Sequence, residues 1–388
     1  MKKCLYLIAV SIIAMAGFYS CDEPDTDEFG DGSPNNPFKV ETVADLKRVG
    51  TGETGPGGFA WKRDKHYVQI ANIDLIGESN WTPIPSSSDF FSGTYNGKGF
   101  TISNLTISGD KEHVGLFGNL SGTVSNVRLN NVSISGKQYV GSVAGMLREH
   151  GTIDHCSAYN VEIFANSYGG GITGQVSYTA MVNACIVANG TVVGNNGSFY
   201  YSTGGITGDN VGTIKNCYTT VNVTGVQQVG GIAGTSSGTI QNCYATGAIY
   251  SKSFDVASIV GRTQGITRFC VALSNNVTKE SGGATYAGRP TIGRVAGYNY
   301  NDGTMNYNHG RIDMVMKAQE TDVPLGTEAT LTGIHGADAG AADYHGADSD
   351  VWWNNTAGFP TAEWSFAKNR LPWLKGFDGL AQNPKVVD

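Results

Sequence analysis

Positive charge is thinly spread in this 388-residue chain, and no block of Lys and Arg occurs in it. Nucleic-acid binding needs a basic stripe that captures phosphates, so this class of partner is excluded. Charged residues of both signs make up only 15% of the chain, and the net charge is −7. Helix-forming residues are scarce in the middle of the chain, where glycine and β-branched residues dominate. This composition favours strands and turns over helices.

The N-terminus carries the pattern of an export signal. Lys2 and Lys3 precede an apolar run, Leu5 to Gly17, that is too short to span a bilayer comfortably. The run ends at Phe18-Tyr19-Ser20-Cys21, which resembles a lipobox, although Phe18 and Tyr19 depart from the strict Leu-Ala-Gly-Cys form. The resemblance implies that residues 1–20 are a lipoprotein signal peptide and that Cys21 is acylated, palmitate being one such acyl group. The alternative is an ordinary signal peptide with an incidental cysteine.

Residues 21–37 are acidic at first and then rich in Gly, Ser, Asn and Pro. Such a segment has too little apolar surface to pack, so we predict a disordered acidic tether. Asp22 and Glu23 directly after Cys21 resemble the lipoprotein export signal of Bacteroidetes, which implies a lipid anchor in the outer membrane and display on the cell surface. A soluble linker facing the periplasm is the alternative.

Internal repetition is the strongest pattern in the chain. Each unit of about 27 residues has a Gly-hydrophobic-small-Gly core, then Gly-Thr-hydrophobic, a polar pair and a Cys or its equivalent, as in Gly238-Thr-Ile-Gln-Asn-Cys243. A further stretch alternates apolar and polar residues, as in Val161-Glu-Ile163, which marks a strand with one buried face. The closing glycines of the cores are Gly118, Gly145, Gly174, Gly208, Gly234, Gly261 and Gly297.

One such unit cannot bury its own apolar face, whereas stacked units bury their faces against each other at about 4.8 Å per rung. The repeats, with a lead-in from Tyr67 to Ile102, resemble the GLUG repeat family of bacterial surface proteins, some of which carry peptidase modules. The resemblance implies an all-β fold, a right-handed parallel β-helix (β-solenoid). It divides the chain into an N-terminal cap and first coils (38–110), the repeats (111–312) and an irregular C-terminal segment with a cap (313–388).

Both ends of the solenoid are expected to be covered, because open rung edges template aggregation. Thr42 to Val49 is predicted as a short helical cap at the N-terminal end. A Trp-rich cap is predicted at the other end, and the Gly/Ala/Asp-rich stretch from Gly333 to Asp350 is predicted to be a loop. The residues of the Trp-rich cap are Trp352, Trp353, Trp364 and Trp373.

Cysteine recurs at one place in successive repeats, which predicts an inward ladder of free thiols that act as small hydrophobic groups. Disulfides between rungs are the alternative, and they demand a particular geometry. The spacings are not those of zinc ligands, and HExxH, GxSxG and P-loop signatures are missing, so we predict neither a metal site nor a cofactor nor a catalytic residue. The cysteines are Cys156, Cys185, Cys217, Cys243 and Cys270.

Many parallel β-helices cleave polysaccharides, and a glycosidase needs two carboxylates that face one cleft. Acidic residues are sparse between positions 114 and 256 and do not recur at matching places. Four arginines of the late repeats are interpreted as surface residues. The preferred function is therefore a non-catalytic adhesin or binding protein, and the alternative is a carbohydrate-active enzyme, either a polysaccharide lyase or a glycoside hydrolase. A purely architectural envelope subunit is a third hypothesis. The arginines are Arg262, Arg268, Arg289 and Arg294.

Two long repeats gain residues just before the next core, and this turn holds aromatic residues in other repeats. We predict that these aromatics line one edge of the solenoid, where flat rings stack on a glycan or anchor a host protein. Packing against their own turns is the alternative. The candidate ligand-binding residues are Tyr139, Tyr168, Tyr200, Tyr201, Phe254 and Tyr286.

Overall fold

The computed structural model describes residues 26–85, 89–195, 202–325 and 329–377. Short strands of successive repeats pair in parallel and in register, so the chain winds into a parallel β-solenoid with three faces, as predicted. No helix among these residues is long and apolar enough to cross a membrane.

Face one contains one short strand from each successive rung. Its strands are Phe38–Val40, His66–Gln69, Thr94–Asn96, Thr123–Ser125, Thr152–Asp154, Met181–Asn183, Thr213–Lys215, Thr239–Gln241, Ile266–Arg268 and Thr304–Asn306. Face two is built in the same way by the residues around each closing glycine. Its strands are Phe117–Leu120, Ala144–Leu147, Thr173–Val176, Thr207–Asn210, Ala233–Ser236, Val260–Thr263 and Ala296–Asn299.

Face three is the longest and turns a corner just before face two. Its strands are Ile73–Asp74, Thr101–Ile107, Glu112–Val114, Arg128–Val140, Ser157–Gly170, Ile186–Gly194, Thr203–Gly204, Tyr218–Thr219, Asn222–Gly225, Val229–Gly230, Tyr244–Ala245, Ile249–Ser251, Val256–Ala257, Val271–Ala272, Asn276–Lys279, Ile292–Gly293, His309–Arg311, Val315–Ala318, Thr321–Asp322 and Ala337–Ala339. Inward-facing Val, Ile and Leu side chains of the three faces form one continuous core along the axis.

The remaining elements lie outside the rungs. Antiparallel pairs join Thr51–Thr54 to Ala60–Lys62, Thr285–Tyr286 to Arg289–Pro290 and Trp364–Ser365 to Trp373–Leu374. The helical segments are Thr26–Phe29, Val43–Arg48, Pro56–Gly58, Tyr300–Asp302, Ala341–His345, Ser349–Val351 and Trp352–Thr356.

The N-terminal helix forms where the sequence predicts it. It spans Val43–Arg48, and Thr42 and Asp45 form a capping box at its start, which satisfies backbone N–H groups that the first turn leaves unpaired. Leu46 is completely buried, so the apolar side of this short helix joins the core of the first coils. The predicted N-terminal cap is confirmed.

The predicted thiol ladder is also confirmed. All five cysteines in the described ranges are free and completely buried. Each thiol donates a hydrogen bond to the carbonyl oxygen two residues before it, as Cys185 does to Asn183 at 3.1 Å. Burial raises the pKa of the Cys185, Cys243 and Cys270 thiols well above the ordinary value, because the charged thiolate is poorly solvated there. These thiols therefore pack as small apolar groups.

Residues 341–377, called the strap below, run back along the outside of face three. Their aromatic side chains cover an outward apolar stripe that includes Tyr218 and Tyr244, whose rings stack at 4.8 Å. Tyr244 donates a hydrogen bond to the Pro372 carbonyl at 2.8 Å, and Arg128 of an early rung reaches the Gly376 carbonyl at 3.0 Å. The Trp-rich segment thus forms a second hydrophobic cluster along the flank of the solenoid.

The loop prediction for the stretch from Gly333 to Asp350 is wrong. Ala337–Ala339 pairs in parallel with His309–Arg311 and extends face three, and the helix Ala341–His345 follows it. Gly336 adopts a φ of +66°, which glycine tolerates readily, so the turn before this strand explains part of the glycine content.

A histidine joins the strap to face one. His155 Nδ1 lies 3.0 Å from Asp154 Oδ2, and its Nε2 lies 3.5 Å from Glu363 Oε2 of the strap. The hydrogen bond to Asp154 raises the pKa of His155 above its ordinary value, aided by both carboxylates and opposed by partial burial. Burial opposes ionisation of Asp154, yet hydrogen bonds from His155 and Asn183 lower its pKa overall.

Strap attachment should therefore depend on pH. The pKa of His155 is higher in the folded than in the unfolded state. Its contribution to the stability of strap attachment is therefore complete below the unfolded pKa and is lost as pH rises through the folded pKa. Relative to His155→Gln, we expect the wild-type strap to be more stable by about 0.5–1 kcal/mol near pH 5.5 and by much less near pH 8. Hydrogen exchange of strap amides at the two pH values measures this difference. Parallel pH profiles for the two proteins would contradict the assignment.

Candidate ligand-binding groove

The corner between faces three and two carries a column of in-register residues. Each lies six residues before the closing glycine of its own repeat, which gives Tyr139, Tyr168, Ser202, Gln228 and Asp255. Four of these residues, all but Ser202, have φ values between 50° and 55°, which bend the chain sharply toward face two. We call these five residues the corner column.

The closing glycines allow this corner to form. A Cβ atom on Gly174 would lie 2.5 Å from Tyr139 Cα, and one on Gly208 would lie 2.7 Å from Tyr168 Cα. Real Cβ atoms do not approach backbone atoms so closely, so any larger residue would push face two away from the corner of the preceding rung. The glycine that defines the repeat is thus required by close contact between coils.

The predicted aromatic edge is only partly assembled. The Tyr139 ring lies between His113 and Tyr168, with ring centroids 5.1 Å from each and interplanar angles of 13° and 5°. Both faces of Tyr139 are covered, so it offers a ligand an edge and a hydroxyl rather than a stacking surface. Burial, followed by the nearby Asp209 carboxylate, raises the pKa of Tyr139 above its ordinary value.

The other candidate residues are not brought into this stack. Phe254 lies one position before the corner column, and the Lys279 ammonium lies 5.5 Å from its ring centroid. Tyr286 belongs to the antiparallel hairpin inserted in the last long repeat, outside the rungs. Tyr200 and Tyr201 fall outside the described residues, as does Cys21. Ligand binding by these residues stays a prediction.

A second column runs beside the corner on face two, and the sequence prediction missed it. Its members directly follow the closing glycines: Gln175, Asp209, Thr235, Arg262 and Tyr298 are in parallel register. This position after each core glycine was a usable signal, because it holds polar or aromatic residues in these five repeats. The two columns enclose an open groove of about 350 Å³.

Polar side chains dominate the lining of the groove. Asp209 accepts hydrogen bonds from Gln175 at 2.8 Å and Thr235 at 2.7 Å, which fix its carboxylate. Ser202 donates to Gln228 at 2.9 Å. Asp209 is the one carboxylate among the described residues that line the groove, which are Tyr168, Ser202, Asp209, Gln228, Thr235, Ser236, Ser237, Arg262, Gln264 and Tyr300.

Another cavity, of about 470 Å³, lies beside the N-terminal helix. Its charged residues pair with each other, Lys47 with Glu78 at 2.7 Å and Arg63 with Asp89. Nowhere in the described ranges do three or more His, Cys, Asp or Glu residues group in a way that could hold a metal ion.

Two relatives match about a third of this chain, and one of them is described as a membrane protein. No family model matches the chain. Halomucin of Haloquadratum walsbyi is 36% identical over 130 residues, 30% of this chain. A "Putative Gly-rich membrane protein" of Evansella cellulosilytica is 30% identical over 137 residues, 33% of this chain. The matches span only 1% and 15% of the length of these two relatives.

A solved structure shares the architecture over almost its whole length. The crystal structure of a putative immunoglobulin A1 protease from Bacteroides ovatus superposes on this chain with a TM-score of 0.59. The superposition covers 89% of this chain and 94% of the chain of that protein. The sequence identity is 22%. At that identity the likeness concerns the fold alone, because unrelated functions often share one fold.

Proposed function

We propose that this chain is a non-catalytic cell-surface lipoprotein that binds a glycan in the groove between the corner column and face two. The observation that carries the proposal is the lining of the groove. Hydroxyl, amide, carboxylate and guanidinium groups from successive rungs line it together with Tyr168 and Tyr300, and hydrogen bonds fix several of these groups. Polyhydroxylated ligands need such dense and pre-oriented donors and acceptors.

Among the described residues of the lining Asp209 is the single carboxylate, which favours binding over glycoside hydrolysis, since hydrolysis uses two carboxylates about 5–10 Å apart. Each cysteine in the described ranges is buried, so a thiol nucleophile is not presented to the groove either. The enzyme alternative therefore has less support in the lining than the binding proposal.

A surface location is the second part of the proposal. It is supported by the lipobox-like Cys21 with its acidic tether and by the likeness to halomucin and to a Gly-rich membrane protein. The resemblance to the GLUG repeat family points the same way. Metabolic labelling with palmitate tests the anchor directly, and label retained after Cys21→Ala would contradict it.

Glycan binding is tested with the purified protein on an array of neutral and acidic glycans. Asp209→Asn keeps the shape of the side chain but removes a charged acceptor, so we expect affinity for the bound glycan to fall about tenfold. Glu162→Gln is the matched control, because Glu162 is an exposed carboxylate on face three. No array signal for the wild-type protein, or equal losses in the two variants, would overturn the proposal.

A further inference from the structure

One end of the groove is rich in positive charge. Arg262 lines the groove and pairs with Asp255, its Nε at 2.7 Å and its Nη2 at 2.5 Å from Asp255 Oδ2. Arg289 Nη1 lies 3.2 Å from the other carboxylate oxygen. Asp255 is completely buried, so two guanidinium groups share one carboxylate and the trio keeps a net positive charge in a protein whose net charge is −7.

A third cation lies close enough to interact electrostatically with Asp255 and Arg289. Lys279 is buried, and its ammonium donates hydrogen bonds to Thr291 Oγ1 at 2.7 Å and to the Gly283 carbonyl at 2.9 Å. Its neutral partners do not cancel its charge. The field at this end of the groove therefore favours an anion, since buried or half-buried charges are screened much less than exposed ones.

The two arginines are held rigidly by an aromatic ring. The Arg289 guanidinium lies 4.0 Å and that of Arg262 lies 5.9 Å from the ring centroid of Tyr298. A guanidinium that stacks on a ring and is anchored by a carboxylate loses little conformational entropy when it binds a second anion. Such planar donors match the geometry of a carboxylate.

The chain inserts residues to build this end. Arg289 belongs to the hairpin Thr285–Tyr286 with Arg289–Pro290, which is extra to the regular rung and makes this repeat one of the long ones. The insertion brings Arg289 to Asp255 and over Tyr298, whereas Arg262 comes from the regular strand. On the two rungs before Arg262, Asp209 and Gln228 offer hydrogen bonds for neutral hydroxyls.

We infer that the groove takes a glycan that carries a carboxylate, a uronic-acid type of saccharide, with its carboxylate at Arg262 and its hydroxyls at Asp209 and Gln228. This inference rests on the proposed function and names the chemical class of its ligand. Arg262 is the specificity-determining residue, and Arg289, Asp255 and Tyr298 position it.

Two matched pairs of probes isolate the effect of the ligand's charge. The purified full-length protein is titrated calorimetrically with oligogalacturonate and with its methyl ester, and with hyaluronan oligosaccharides and their carboxyl-reduced form. We expect at least one acidic member to bind about tenfold more tightly than its neutral counterpart. This comparison uses the wild-type protein, so it is independent of whether any variant folds.

Variants then locate the effect. Arg262→Gln should bind the acidic and neutral members equally, whereas Arg268→Gln, which changes an exposed arginine on face one, should keep the wild-type preference. Equal affinity of the wild-type protein for acid and neutral partners, or binding of neutral array glycans alone, would overturn the inference and leave the proposed function intact. A preference retained by Arg262→Gln would also overturn it. If the proposed function itself fails, the wild-type protein gives no signal on the glycan array, which is a different result from those above.

Discussion

Trp353→Ala is expected to release the strap at a cost of about 3–5 kcal/mol, because it removes a large side chain from a packed cluster. The Trp353 ring is almost completely buried and lies with its centroid 5.6 Å from that of Tyr244 and 4.8 Å from that of Phe359. Its indole N–H also donates a hydrogen bond to the Tyr344 carbonyl at 2.9 Å, and the substitution removes this hydrogen bond. Hydrogen exchange measures the loss as faster exchange of amides in residues 341–377.

The neighbouring Trp352 supplies the matched control. It is half-buried and contacts His309 and Trp353 at the edge of the cluster, so Trp352→Ala should cost about 1 kcal/mol. Rung amides of Thr239–Gln241 on face one should keep their protection in both variants, because they pair with other rungs and not with the strap. Equal effects of the two tryptophan substitutions would show that the strap is not held by this cluster.

Arg294→Met is expected to destabilise the C-terminal end of the solenoid by about 3–5 kcal/mol. Arg294 is completely buried, and the interpretation of it as a surface arginine is wrong. Its guanidinium donates to the carbonyls of His335, Gly336 and Arg311 at 2.9, 2.9 and 3.1 Å and pairs with Asp338 at 2.8 Å. Methionine fills similar space but leaves all four acceptors without this donor.

Chemical denaturation of the purified protein, followed by tryptophan fluorescence, measures the change in the free energy of unfolding. Arg268→Met is the control, because the Arg268 side chain is exposed and donates to Gln241 Oε1 at 3.0 Å on the surface, so its cost should stay below about 0.5 kcal/mol. Arg294→Lys should fall between the two, since an ammonium cannot reach four separate acceptors. A near-neutral Arg294→Met would show that the buried guanidinium is dispensable.

The sequence predicts only part of the groove. Tyr139 and Tyr168 follow from the repeat register, since both lie six residues before a closing glycine. The same counting reaches Ser202, Gln228 and Asp255, which are polar and therefore do not belong to an aromatic pattern. The prediction assigns Phe254 to the corner, whereas the corner position of that repeat is Asp255, one residue later. In a parallel ladder a shift of one residue moves a side chain to a different column. The contact of Arg289 with Asp255 depends on how an inserted hairpin folds back, which repeat spacing does not encode.

The winding of the chain follows from the sequence, because each glycine-framed unit of about 27 residues can bury its apolar face only against the next similar unit. The sequence also determined the thiol ladder and the N-terminal cap, since a fixed register and a capping box are local properties. The position of the strap, the burial of Arg294 and the contact of Arg289 with Asp255 do not follow from the repeat pattern and are seen in the folded chain. Each of these features joins segments whose relative position depends on long-range packing, which no local pattern specifies.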